Sequence, residues 1–110
     1  MNFVILHGTE GSPDGNWFPW LSKELEKLGQ KTIRPKLPTP EGQTVENWTK
    51  IICFAGDNDS YLPQDVLKKF SELCGAKEFI IVPNGGHLNA ESGYTTFPLL
   101  LETIKKELSL

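Results

Sequence analysis

The sequence predicts an α/β protein in which helices cover both faces of a parallel sheet. Three short, continuous apolar runs, at residues 3–6, 51–55 and 79–82, have the composition of strands that are buried on both faces. Segments with apolar residues at helical spacing alternate with these runs. Clusters of glycine and proline mark the changes from one element to the next. Such alternation is typical of a parallel sheet with right-handed crossovers.

The first half of the chain supplies a strand, a helix and an edge strand. After the strand at 3–6 and a glycine-rich loop, a helix is predicted over 17–28. Its apolar stripe consists of Trp17, Trp20, Leu21, Leu25 and Leu28. Asn16 is the predicted N-cap, and Gly29 is predicted to end the helix in a left-handed conformation. Residues 32–37 alternate in polarity, but their prolines cannot donate to a ladder, so this strand is placed at an edge.

The second half of the chain again alternates predicted helices and strands. Residues 44–50 can form one or two turns of helix before the second apolar run. Amphipathic helices are predicted over 63–74 and 98–108, and Pro98 suits the first turn of the latter. The side chains of the 63–74 helix that are predicted to face the core are Val66, Leu67, Phe70, Leu73 and Cys74.

Length and composition limit the classes of function. A chain of 110 residues has room for one domain, predicted to span 1–110. A net charge of -3, with Arg34 as the only arginine, argues against a nucleic-acid partner. We expect no membrane association, because no apolar run approaches ~20 residues and no leader is evident. Cys53 and Cys74 lie among apolar neighbours, which favours reduced thiols and a cytoplasmic location.

Three strands are each followed by a polar, glycine-containing segment. These segments are His7-Gly8, the stretch Gly56-Asp57-Asn58-Asp59-Ser60-Tyr61-Leu62-Pro63, and Gly85-Gly86-His87. The carboxyl ends of parallel strands form the edge at which open α/β sheets place their sites. Taken alone, Asp59 could be a turn residue that caps the helix beginning near Pro63, and His87 a loop histidine. Asp57 competes with Asp59 for any role as an acid.

On these segments the chain resembles the small serine hydrolases typified by retinoblastoma-binding protein 9, within the α/β-hydrolase superfamily. The resemblance extends over residues 4–8, 17–38, 51–62 and 82–89. It implies that Asp59 matches the catalytic acid, that His87 matches the base, and that the backbone N–H groups around Gly8 and Thr9 match the oxyanion position. This family's Gly-His-Ser-x-Gly elbow, the helix after it and the next strand–helix unit have no counterpart between Trp48 and Ile51. The chain is therefore identified as an internally deleted member.

No other residue replaces the serine convincingly. Ser12, Ser60 and Ser92 lie in loops, and none is on the strained strand-to-helix turn that presents a nucleophile. Cys53 in a strand and Cys74 near a helix end are poor candidates for a reactive thiolate. The two histidines lack the partner spacing of a metal site, and no phosphate or dinucleotide loop occurs, so we expect neither metal nor cofactor.

The deletion has consequences for fold and function. Without the elbow strand and its successor, the expected architecture is a three-layer sandwich around four parallel strands in the order 2-1-3-4, a reduced, flavodoxin-like sheet. Apolar surface exposed by the loss would favour a homodimer. Three functions follow as hypotheses: a serine hydrolase, or carboxylic ester hydrolase, inactivated by the deletion; a non-catalytic module that binds a small ester, an acyl ligand or a protein; and residual esterase activity with His87 as a lone base.

Overall fold

The computed structural model describes residues 2–5, 11–34, 36 and 51–110. The chain divides into two compact units, Met1–Gln43 with Tyr94–Leu110, and Thr44–Gly93. The elements of the first unit are β1 (Asn2–Val4), α1 (Phe18–Lys27), β2 (Lys31–Ile33) and α3 (Pro98–Leu108). Those of the second are β3 (Ile52–Gly56), α2 (Gln64–Leu73), β4 (Glu78–Val82) and a 3-10 turn over Ala90–Ser92.

The first unit packs α1 and α3 around a small apolar core. β1 and β2 pair in parallel, with Phe3 opposite Thr32, and Ile33 is 62% exposed. The buried core consists of Ile5, Phe18, Leu21, Leu25 and Leu101. Trp17 and Trp20 are partly buried against it, which confirms that these two tryptophans serve packing.

Of the two predictions for the ends of α1, the one for its C-terminus is confirmed and the one for its N-cap is wrong. Gly29 has a φ of 79°, and its N–H donates to Glu26 O at 3.0 Å, as expected of a helix that ends in a left-handed residue. Asn16 is not the N-cap: Trp17 holds that position and makes no side-chain cap. Pro19, in the first turn, has no N–H to satisfy, which removes one of the donors that a polar cap would serve.

The second unit is a strand–helix–strand crossover. β3 and β4 pair in parallel over five residues, from Ile52 opposite Glu78 to Gly56 opposite Val82. In α2 the predicted core face is partly wrong, because Val66, Phe70 and Leu73 are 51%, 55% and 79% exposed. Ser71 is buried instead, and its hydroxyl donates to Lys68 O at 2.7 Å. The most apolar face of α2 is thus not the face that is buried.

The predicted sheet of four strands is not shown. The described strands form two parallel sheets of two strands each, β1 with β2 and β3 with β4. These are the outer pairs of the predicted order 2-1-3-4. The predicted helix at 44–50 and the junction at Trp48 lie outside the described residues. Within the described ranges, no helix is long and apolar enough to cross a membrane.

Candidate active site

The candidate site is built where β3 and β4 end. Because Gly56 lies opposite Val82 in a parallel pair, the loops that follow the two strands leave the same edge. A Cβ on Gly56 would lie 2.1 Å from Gly86 O, so the two loop backbones approach closely enough to require glycine there. Gly86 itself has a φ of 58°. The loops are thereby held in contact at the point where their polar side chains begin.

Asp59 and His87 meet across the two loops. His87 Nδ1 lies 2.9 Å from Asp59 Oδ2, while Asp59 Oδ1 accepts the backbone N–H groups of Tyr61 at 2.8 Å and Leu62 at 3.2 Å. An ionised carboxylate only accepts hydrogen bonds, so Nδ1 carries the proton and donates it. Nε2 is then left with its lone pair, which is the state that a general base needs.

The two carboxylate oxygens of Asp59 make contacts of two kinds, one within its own turn and one to the imidazole. Its Oδ1 organises the turn through Tyr61 and Leu62, and its Oδ2 orients the imidazole. It does not cap α2, whose N-cap is Pro63 without a side-chain hydrogen bond. One carboxylate serves the turn and the histidine together because its two oxygens point to different partners.

The carboxyl group of Asp59 is shielded from solvent while the imidazole remains accessible. The side chain of Asp59 is 5% exposed, and that of His87 is 40% exposed. Burial raises the pKa of Asp59, but the hydrogen bonds from His87, Tyr61 and Leu62 outweigh it, so the pKa lies below its ordinary value. Asp59 is consequently ionised at neutral pH and can stabilise an imidazolium formed on His87.

Two more side chains join the loops, and neither role was anticipated. Asp57 Oδ1 accepts the N–H of Asn84 at 2.8 Å, and Asn58 Oδ1 accepts the N–H of Gly86 at 2.7 Å. Three successive residues, 57–59, thus each bond to the His87 loop, and we call them the 57–59 clasp. The sequence signal was the run of three short Asx side chains directly after a strand, since such side chains readily bond to backbone groups. Asp57, the predicted competitor for the acid role, serves the clasp instead.

Tyr61 is a further neighbour that sequence reasoning missed. Its ring centroid lies 5.0 Å from that of His87, tilted by 56°. Tyr61 is 66% exposed, so it flanks the imidazole without covering it. The sequence signal that could have identified Tyr61 is its position two residues after Asp59, in the turn that Asp59 stabilises.

The predicted oxyanion residues, Gly8 and Thr9, lie outside the described residues. Within residues 51–93, no serine hydroxyl makes a hydrogen bond to the imidazole of His87. Ser92 instead accepts the backbone N–H of His87 at 3.2 Å, so its hydroxyl supports the loop.

The two cysteines lack the character of reactive thiolates. Both thiols are free, and burial, with a further contribution from nearby Cys74, raises the pKa of Cys53. A raised pKa is the opposite of what a thiolate nucleophile needs. In the part of the chain that the structure describes, no group of three His, Cys, Asp or Glu side chains is placed to hold a metal ion.

Comparisons with known proteins place this geometry in context. The family model described as Serine hydrolase matches residues 30–106, which include both Asp59 and His87. The crystal structure of the ydeN gene product from B. subtilis aligns with a TM-score of 0.82 and 16% sequence identity, covering 99% of this chain and 99% of that one. At this identity the likeness concerns the fold alone. No curated protein matches the sequence.

Proposed function

Because the chain belongs to the serine hydrolase family, we propose that it keeps the acid and base of a hydrolase site, Asp59 and His87, without the nucleophile. The observation that carries this is the 2.9 Å bond between Nδ1 and Oδ2, which leaves Nε2 of an accessible imidazole as an acceptor. The sequence contains no Gly-x-Ser-x-Gly. The proposal includes descent from the small hydrolases typified by retinoblastoma-binding protein 9, by deletion between Trp48 and Ile51.

The missing serine removes the first chemical step. In a complete site the base takes the proton from the serine oxygen while that oxygen bonds to the ester carbonyl, and the resulting oxyanion is held by backbone N–H groups. One of those N–H groups belongs to the residue after the nucleophile. His87 could still take a proton from water, but no acyl-enzyme can form. The protein is thus inactive or nearly so as an ester hydrolase.

Hydrolysis of p-nitrophenyl acetate at pH 8 tests this proposal. We expect no burst, a rate no greater than that of free imidazole at equal concentration, and no mass increase after treatment with a fluorophosphonate. Because the imidazole of His87 is accessible, His87→Ala should remove the part of this slow rate that His87 supplies. A stoichiometric fluorophosphonate adduct, together with turnover well above imidazole that is lost in His87→Ala, would show that another residue has become the nucleophile.

A binding module is the second candidate function. Tyr61, whose ring centroid lies 5.0 Å from that of the accessible His87, is 66% exposed, and the next residue, Leu62, is 41% exposed. Exposed aromatic and aliphatic groups next to a polar group are typical of surfaces that take a small ester, an acyl ligand or a protein. Saturable binding without turnover would favour this function.

Both cysteines are free, which supports placing this function in the reducing cytoplasm.

Self-association through α2 is a separate part of the proposal. Val66, Phe70 and Leu73 recur at i, i+4 and i+7 and are at least half exposed. Antiparallel pairing of two copies about Phe70 would bring Val66 against Leu73 of the second copy and form an apolar seam between the two helices. The proposed partner is therefore a second copy of this chain.

Light scattering measures this association directly. We expect the mass to rise toward twice the chain mass with increasing concentration, and Phe70→Lys to abolish the rise, because the charge would be buried at the seam. Tyr61→Lys, at a residue that is also exposed but lies outside α2, is the matched control and should still associate. A constant monomer mass at high concentration would contradict the proposal.

A further inference from the structure

We propose that Asn58 is a positioning residue for His87, an inference that rests on the proposed function only in assigning His87 as the base. Asn58 Oδ1 accepts the N–H of Gly86, the residue immediately before His87, at 2.7 Å. Asn58 also immediately precedes Asp59, the partner of the imidazole. One short peptide therefore holds both the ring and the backbone from which the ring projects.

The His87 loop needs such a restraint because two glycines precede the histidine. Glycine loses more conformational freedom on ordering than other residues, and Gly86 adopts a φ of 58°. Ser92 restrains the loop from its own side, through the N–H of His87 at 3.2 Å. Of the bonds to backbone that cross from the 57–59 clasp, that of Asn58 is made closest to His87, since Asp57 bonds to Asn84. Asn58 is thus the link that ties the histidine backbone to the loop of the acid.

Orientation matters because the protonation state of each ring nitrogen follows from it. The tautomer of a neutral imidazole is set by the hydrogen bond that one of its nitrogens makes. When Nδ1 donates to Asp59, the proton is fixed there and Nε2 accepts. If the backbone at Gly86 is released, the ring can rotate away from Oδ2 and the neutral imidazole returns to a mixture of tautomers. Asn58 therefore sets the protonation state of Nε2 indirectly, through the backbone at Gly86.

The test uses the ring nitrogens of His87, observed by ¹⁵N NMR on the full chain at a pH where the imidazole is neutral. We expect the Nδ1–H tautomer to dominate in the unmodified protein and in Asn58→Asp, which keeps an acceptor oxygen. In Asn58→Ala we expect a mixture of the two tautomers. We also expect the amide proton of Gly86 to exchange about tenfold faster in Asn58→Ala, the effect of losing one ordinary hydrogen bond.

Asn89→Ala is the matched control. Asn89 Oδ1 accepts the N–H of Ser92 at 3.1 Å, so this variant also loses one bond from an asparagine to the backbone in the same region, but not one that joins the two loops. It should keep the Nδ1–H tautomer. Should Asn58→Ala fail to fold, Asn58→Ser, with a shorter side chain, takes its place.

Two results would overturn the inference. One is a folded Asn58→Ala, or Asn58→Ser in its place, in which the Nδ1–H tautomer still dominates. The other is an Asn89→Ala that loses the Nδ1–H form to the same extent as the Asn58 variant. Neither result depends on an ester. If a fluorophosphonate adduct instead disproved the loss of the nucleophile, the ring-nitrogen spectra would still decide the role of Asn58, so the two failures are distinguishable.

Discussion

Replacing Gly56 with alanine will separate the two loops of the candidate site and destabilise the second unit by about 3 kcal/mol or more. The new Cβ would lie 2.1 Å from Gly86 O and 2.7 Å from Gly86 N. Both are backbone atoms, so relief requires one loop to move away from the other. The hydrogen bonds of Asn58 and Asp59 to the His87 loop would then be lost together. Equilibrium urea unfolding followed by circular dichroism measures the loss of stability, and ¹⁵N NMR of His87 measures the loss of the Nδ1–H form.

Gly75→Ala is the control for this substitution. Gly75 has a φ of 68°, but a Cβ there would meet nothing within 4 Å. Its replacement adds the strain of a left-handed alanine, about 1 kcal/mol, without a clash. Equal losses of stability in the two variants, or an unchanged His87 spectrum in Gly56→Ala, would show that the loops tolerate the added methyl group.

Leu25→Ala has the second largest expected effect. Leu25 is 0% exposed and lies in the core of the first unit, so removing its side chain leaves a cavity. Substitutions of this kind cost about 2–5 kcal/mol, which is a large part of the stability of a small protein. Urea unfolding followed by tryptophan fluorescence reports the change, because Trp17 and Trp20 pack against this core.

Leu110→Ala makes the same chemical change at a position that is 63% exposed in the same unit. Exposed substitutions away from special features usually stay within about 0.5 kcal/mol. If Leu25→Ala were as mild as Leu110→Ala, the core assignment of α1 would be wrong.

The helices and strands could largely be predicted from the sequence because each carries a strong local signal. The spacing of Trp17, Leu21 and Leu25 set the core face of α1, and Pro98 marked the first residue of α3. The outer face of α2 could not be predicted in the same way. The spacing of apolar residues shows which face of a helix is apolar, but it does not show how much of that face neighbouring elements bury. Leu73 was therefore predicted to be a core residue, although it is exposed.

The candidate site was predicted in part for similar reasons. The family resemblance paired Asp59 with His87, the ends of parallel strands were the expected place for both, and the structure places the two side chains in contact. Their catalytic roles remain predictions. The contributions of Asn58 and Asp57 depend on which backbone N–H each oxygen meets, and that geometry exists only after the loops are folded.

Both partners of the contact between Asp59 and His87 lie within one strand–helix–strand segment, from Ile52 to His87. On the proposed function, a lineage can therefore lose the segment that bears the nucleophile while Asp59 and His87 stay in contact. The reverse path is short for the same reason. A descendant that gains a correctly presented hydroxyl and its oxyanion donors would find the carboxylate and the imidazole already joined.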